Sequence, residues 1–197
     1  VILNQLYKYT PLQTSFGMNM LAINSGRPMM MNLKEIIAAF IEFREDVIRR
    51  RTIFELNKAR DRAHTLVGLA IAVENLDPVI ELIRSAPSPQ DAKDALLSKA
   101  WPAGDVEPLV ILIDEPDRKV ENGFYHLSEA QAKAILDLKL QRLTGLERDK
   151  IHQELMSLGD EIKECLSILS SREKLYGIMR DELVEIKDEY ATPRRTK

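Results

Sequence analysis

Two long stretches of the sequence repeat apolar residues at the spacing of a coiled-coil helix. In the first, residues 33–75, an apolar side chain recurs every three or four positions, and no glycine or proline interrupts it before Gly68. Asn32 and Glu35 predict a reciprocal cap at its start. About 43 residues at 1.5 Å each correspond to a helix of roughly 65 Å. The apolar seam of this outgoing helix consists of Phe40, Phe43, Val47, Leu56, Ala63 and Leu66.

The second stretch, residues 146–191, has the same spacing. Ser170 and Ser171 predict a break that divides it into two returning helices, because serine side chains compete for local backbone hydrogen bonds. Two stretches of similar length that flank about 70 residues of different character predict an antiparallel pair of helices. The seam of the returning stretch consists of Ile151, Leu155, Leu158, Ile162, Cys165 and Leu169.

The residues between the two stretches predict a compact tip. Asp77 and Pro78 open a short apolar helix, and the prolines around Ser88 precede a second helix, Gln90 to Lys99. Residues 101–122 contain three prolines and a charged run, which predict a loop that is partly disordered.

A last tip helix is predicted to start at Ser128 and to continue through Leu143 to residues 144–145. Ser128 and Gln131 form a capping-box sequence at its start. Leu136 and Leu140 widen its apolar surface beyond one face, so more than one partner surface must cover it.

The first 32 residues predict a small base segment. The apolar spacing of residues 1–9 predicts a short helix, and the alternation from Phe16 to Ala22 predicts a strand that ends in a turn at residues 24–26. Met29, Met30 and Met31 are expected to fill a core. Neither element can bury its apolar face alone, so we expect both to pack on a domain outside this sequence.

The predicted fold class is therefore mainly α. A long antiparallel coiled-coil arm carries a small helical globular tip, and a short helix and strand segment lies at the base. The predicted domains are a base segment (1–32), an outgoing coiled-coil helix (33–75), a globular tip (76–145), returning coiled-coil helices (146–191) and the start of a linker (192–197).

Composition narrows the function classes. No apolar stretch approaches the length of a membrane span, and the single cysteine, Cys165, excludes an internal disulfide. Residues 1–66 carry 10 Lys and Arg against 6 Asp and Glu, a net charge of +4. Because the whole chain has a net charge of −3, residues 67–197 carry a net charge of −7. DNA is therefore expected to meet the N-terminal part of the chain.

Site chemistry is sparse. His64, His126 and His152 lie far apart without cysteine or carboxylate at metal-ligand spacing, so we expect no zinc or catalytic histidine site. No glycine-rich phosphate loop is present. The run of arginines at 49–51 could form a nucleic-acid patch, but interleaved acidic residues favour ion pairs along a solvated helix face.

Four segments nevertheless resemble the A subunits of DNA gyrase, a family of type IIA topoisomerases. They are YTPLQTSFGMNM (9–20), RRRTIFELNKARDRAH (49–64), NLDPVIELIR (75–84) and AQAKAILDLKLQRLTGLE (130–147). The A subunit of topoisomerase IV is the alternative within this group, but RTIFEL, KARDRAH and the long segment before Gly123 are more similar to gyrase. An alternative from another class is a non-enzymatic coiled-coil hinge, whose arms are normally longer and lack a segment such as YTPLQ.

The resemblance implies an internal part of an enzyme with two A and two B subunits, which uses ATP to introduce negative supercoils by double-strand passage. Mg²⁺ and ATP would be bound by the B subunit, so we expect no metal or cofactor here. Double-stranded DNA would be bound by a core outside this sequence, in the bacterial cytoplasm at the nucleoid and without a membrane. The family's catalytic tyrosine follows an arginine, whereas the five tyrosines here follow Leu, Lys, Phe, Leu and Glu: Tyr7, Tyr9, Tyr125, Tyr176 and Tyr190.

By the same resemblance, the tips of two subunits would meet and close an exit gate below the cleaved DNA. The helix from Ala130 to Leu143 is the candidate for this self-complementary surface, because its extra apolar area requires a partner. A gate that opens requires a modest interface with a polar surround. The predicted interface residues are Gln131, Ala134, Ile135, Leu138, Gln141 and Arg142.

Incubation of this chain with supercoiled DNA, Mg²⁺ and ATP is expected to give neither cleavage nor relaxation on a gel, because no tyrosine has the family's sequence context. A complete complex of A and B subunits is the positive control. Any activity of the chain alone would overturn the prediction that the nucleophile lies elsewhere.

Overall fold

The structure of the chain, a computed structural model, describes residues 1–108, 110, 120–138 and 145–195. It confirms the predicted mainly helical class, with two small two-stranded sheets among the described residues. The chain divides into two compact units, Val1–Val47 and Ile48–Lys197, which are described separately. None of the helices in the described ranges is long and apolar enough to cross a membrane.

The first unit contains helix α1 (Ile2–Tyr9) and an antiparallel hairpin of β1 (Leu21–Asn24) and β2 (Arg27–Met30). The turn residues Ser25 and Gly26 have φ values of 51° and 78°, the left-handed pair that matches strand twist in two-residue hairpins. The prediction that the strand starts at Phe16 was wrong. Strand β2 is only four residues long, so the alternating residues before position 20 have no strand to pair with.

Apolar side chains in the first unit remain accessible. No residue of 1–47 is buried, and Met29 and Met30 are 49% and 65% exposed. The expectation that these methionines fill a core was therefore wrong for this chain. The physical reason is that a single two-stranded hairpin has too little surface to enclose them.

Helix α2 (Leu33–Glu74) contributes to both units. Its predicted cap is confirmed: the Asn32 amide donates to the Glu35 carboxylate at 2.8 Å, and the Glu35 amide donates to the Asn32 side chain at 2.9 Å. From Ile48 onward one face is buried, at the three- and four-residue steps that the sequence predicts. The buried residues of that face include Ile48, Thr52, Leu56, Ala59, Ala63, Leu66, Val67, Ala70 and Ile71.

The tip begins with two short helices, α3 (Leu76–Ser85) and α4 (Pro89–Ser98). Ser88 caps α4 by accepting a hydrogen bond from the Asp91 amide at 3.2 Å. Strand β3 (Ala100–Pro102) then pairs antiparallel with β4 (Phe124–His126), which places Trp101 opposite Tyr125.

The predicted loop over residues 101–122 therefore requires correction at its start. Trp101 is fully buried, and its Nε1 donates to the Leu96 carbonyl at 3.0 Å. A short 3₁₀ helix (Gly104–Val106) follows, with Val106 also buried. Burial of these apolar side chains gives the segment regular structure, and Pro102 is tolerated because β3 pairs with a single strand among the described residues. The part of the prediction over 111–119 lies outside the described residues.

Helix α5 (Glu129–Leu136) starts at the predicted capping box, which is confirmed in both directions. The prediction that it continues unbroken to residues 144–145 was wrong, because the helix ends at Leu136. Its last turn closes at Asp137, because the Leu138 amide bonds back to the Ile135 carbonyl at 3.1 Å in a tight three-residue turn. Leu143 itself lies outside the described residues.

Two returning helices, α6 (Gly145–Ser170) and α7 (Arg172–Tyr190), confirm the predicted break. Ser171 lies between them and caps α7, accepting a hydrogen bond from the Lys174 amide at 3.3 Å. Ion pairs connect both helices to α2. Arg62 pairs with Glu154 of α6 at 2.7 Å, and Arg51 pairs with Glu182 of α7.

The crossing of α2 and α5 is unusually close. A Cβ atom added to Gly68 would lie 2.6 Å from both Cβ and Cγ of Gln131. Real Cβ atoms do not approach carbon so closely, so glycine is required here by the neighbouring helix rather than by its backbone angles.

Gly68→Ala is therefore expected to lower the free energy of unfolding by about 1–3 kcal/mol, because overpacking outweighs the higher helix propensity of alanine. Gly177→Ala on α7 is the matched control, since a Cβ there meets no atom within 4 Å and should stabilise by about 0.5–1 kcal/mol. Urea unfolding followed by fluorescence of Trp101, the only tryptophan, measures both. Equal stability of Gly68→Ala and the wild type would contradict the close crossing.

Candidate functional site at the helical tip

A buried hydrogen-bond network around Gln131 joins three elements of the tip. The Gln131 side chain is fully buried; its Nε2 donates to the His64 carbonyl at 2.7 Å and to the Tyr125 hydroxyl at 3.1 Å. Its Oε1 accepts from the Ser128 amide at 2.8 Å. Because α2, β4 and the start of α5 each contribute a partner, the amide fixes their relative positions.

His64 and Ser128 extend this network. His64 Nε2 lies 2.7 Å from Ser128 Oγ. The same Oγ accepts a hydrogen bond from the backbone N–H of Gln131 at 3.0 Å. Ser128 is only 6% exposed and serves as the helix cap, so this His and Ser pair has a structural role and not that of an accessible nucleophile. Within the described ranges no group of three or more His, Cys, Asp or Glu side chains could hold a metal ion.

The six residues predicted for the dimer interface differ in how much of their surface is exposed. Gln131 and Ile135 are buried within one chain, at 0% and 4% exposure, which leaves them almost no surface for a second chain. Ala134 and Leu138 are half-buried and keep part of their surface. Gln141 and Arg142 lie outside the described residues.

The apolar surface of α5 is covered largely from inside the chain, because Ile135 belongs to the tip core and Leu136 packs against it. The interface itself remains a prediction. Among the described residues predicted for it, Ala134 and Leu138 keep accessible surface.

An apolar cleft of about 300 Å³ lies beside Leu138, where α3 faces α5. The α3 positions Leu76, Ile80 and Ile83 follow helical spacing, which is the sequence signal that could have predicted this surface. Arg84 is the one charged residue among the lining residues that the structure describes. The described lining residues are Ala72, Leu76, Val79, Ile80, Ile83, Arg84, Ile135, Leu136 and Leu138.

Most predicted seam residues lie in the second unit and share one core. That core contains the seam residues Leu56, Ala63, Leu66, Leu155, Ile162 and Cys165, with Ile151, Leu158 and Leu169 packed against it. Phe40, Phe43 and Val47 belong to the first unit, where Phe40 and Phe43 are 49% and 58% exposed. The pairing of those three residues remains a prediction.

Cys165 is a buried free thiol on this seam. Burial raises the pKa of the Cys165 thiol, and the nearby carboxylates of Glu55, Glu161 and Glu164 raise it further, since both effects disfavour the thiolate. Both effects favour the neutral thiol, and Cys165 belongs to the core of the second unit.

Comparison with known proteins identifies the family. The model of the family of DNA gyrase/topoisomerase IV A subunits matches residues 1–184 of this chain. The chain belongs to that family. The resemblance drawn from the four sequence segments is therefore confirmed.

Several relatives of about 50% identity are DNA gyrase A subunits. The chain is 53% identical to the DNA gyrase A subunit of Rickettsia bellii over 196 residues, which are 100% of this chain and 22% of that protein. It is 50% identical to the gyrase A subunit of Salmonella typhimurium over 206 residues, covering 100% of this chain and 24% of the relative. The corresponding protein of Aeromonas salmonicida is 48% identical over 203 residues, with coverage of 98% and 22%. The chain thus spans about a quarter or less of these relatives.

The raised pKa of Cys165 predicts how stability depends on pH. Below the pKa of the thiol in the unfolded chain, near 8.5, the thiol is neutral in both states and pH has no effect through it. Above that value the unfolded chain ionises first, so stability is lost as pH rises toward the folded pKa. We expect Cys165→Ala to lose less stability than the wild type between pH 7 and pH 9.5 in urea unfolding, and equal losses would contradict the raised pKa.

Proposed function

We propose that this chain is the coiled-coil arm and exit gate of a DNA gyrase A subunit. The main support is the buried face of α2, which forms one continuous core with the returning helix α6 and with the compact helical tip. A rigid helical arm that ends in a small domain suits mechanical gating, and the described residues bring together no catalytic group. The base segment would pack on the DNA-cleaving core, which fits the exposed apolar side chains of residues 1–47.

The proposed parent is an ATP-dependent type IIA topoisomerase of two A and two B subunits that introduces negative supercoils in double-stranded DNA. The B subunit would bind Mg²⁺ and ATP, and the catalytic tyrosine would lie in another part of the A subunit. The complex would act in the bacterial cytoplasm on nucleoid DNA. Gyrase is favoured over topoisomerase IV, because the similar relatives described above are gyrase subunits with about 50% identity over the whole chain.

We place the gate contact on the surface formed by the α3 and α5 cleft together with Ala134 and Leu138. Eight of the nine described cleft residues are apolar, and Arg84 supplies a charged group. The exposed residues Lys133 and Asp137 adjoin Ala134 and Leu138 in the sequence. A small apolar patch with a polar surround is suited to a contact that closes and reopens, since a large dry interface would dissociate too slowly. A two-fold contact would let each cleft receive the Leu138 region of the other copy.

Leu138→Glu is expected to abolish dimerisation while helicity by circular dichroism is retained, because the change places a charge in the proposed apolar contact. Light scattering across a concentration series measures the molar mass. Leu166→Glu is the matched control, since Leu166 lies on α6 and is already 39% exposed. A wild-type chain that is monomeric at every concentration, or a Leu138→Glu chain that still dimerises, would contradict the proposed surface.

A further inference from the structure

We propose that Gln131 is a positioning residue that holds the gate helix α5 in one fixed register on the arm helix α2, so that movement of the arm is transmitted to the gate. The proposal rests on the proposed function of the tip as a gate. We call the contact of Gln131 with His64, Gly68, Tyr125 and Ser128 the register lock.

The lock depends on one opening in the surface of α2. The His64 carbonyl belongs to the helical turn that ends at Gly68, and a side chain at position 68 would cover it. With glycine there, the Gln131 side chain reaches the carbonyl at 2.7 Å. Gly68 is the only glycine of α2, so no other turn of this helix offers the same opening.

The side-chain amide of Gln131 also has a hydrogen-bond partner for its oxygen and for both of its N–H groups, each in a fixed direction. Both Nε2 protons have fixed acceptors, the His64 carbonyl and the Tyr125 hydroxyl, and Oε1 accepts from the Ser128 amide. An apolar side chain of similar length could fill the space but would not distinguish one register from the next. Buried polar groups are known to select register in helix packing, and the same physics applies here.

A shift of α5 along α2 would therefore break several bonds at once and move Gln131 against a residue with a side chain. This makes the joint between arm and gate stiff, while the surface around Leu138 remains available for opening. A stiff joint is what lets a small displacement of a helix become a displacement of the domain it carries.

The test uses the full-length A protein in complex with its B partner. Nitroxide labels at Lys58→Cys on α2 and Lys133→Cys on α5, both exposed positions, report the width of the distance distribution between the two helices. All other cysteines are replaced by serine. Gln131→Glu keeps the shape but removes both N–H donors, and Gln131→Met removes them without adding a charge. Gln153→Glu, at an exposed position on α6, is the matched control.

Both Gln131 variants are expected to broaden the distance distribution and to slow supercoiling by about fivefold or more, with DNA cleavage unchanged. The Gln153→Glu complex should match the wild type in all three measurements. An unchanged distance distribution in Gln131→Met would overturn the register lock. A broadened distribution with normal supercoiling would overturn its role in transmission. For the distance measurement, labelled A protein is diluted with an excess of unlabelled A protein so that the distances lie within one copy of the chain. The widths then remain decisive even if the tip proves not to be a gate.

Discussion

The second unit depends on the buried face of α2 between Ile48 and Ile71. Residues of this face from Leu56 onward, of the returning helix α6 and of the tip belong to a single core, so its burial joins arm and tip. Its small members, Ala59, Ala63 and Gly68, allow close approach, while Leu56 and Leu66 supply apolar volume. Because hydrophobic burial is roughly proportional to area, a continuous stripe of this length stabilises the helix far more than its intrinsic propensity does.

Polar groups then give this apolar framework a definite geometry. The core face alone would tolerate shifts of one helix along another, since apolar side chains of similar size are interchangeable. The Gln131 amide, the Ser128 cap and the missing side chain at Gly68 remove that freedom at the point where the tip joins the arm. An arm and tip held in this way can move as one body, which is the property that the proposed gate requires.

Periodicity and caps predicted the elements whose signals are local and long. Helix α2, the cap at Asn32 and the break at Ser171 follow from residues near in sequence. The β3 and β4 pair was missed because three-residue strands are too short to show alternation, and their pairing joins positions more than twenty residues apart. The burial of Gln131 was missed because it depends on Gly68 in another helix, and a solvent-facing amide has the same local sequence.

Whether the tip closes a gate between two copies of the chain is tested most directly by locking it covalently. A full-length A protein with Ala134→Cys and no other cysteine is combined with its B partner and oxidised. We predict a cross-link between the two A proteins that stops supercoiling but leaves DNA cleavage intact, with activity restored by reductant. Failure to cross-link the two copies, or normal supercoiling by a fully cross-linked complex, would contradict the proposed gate.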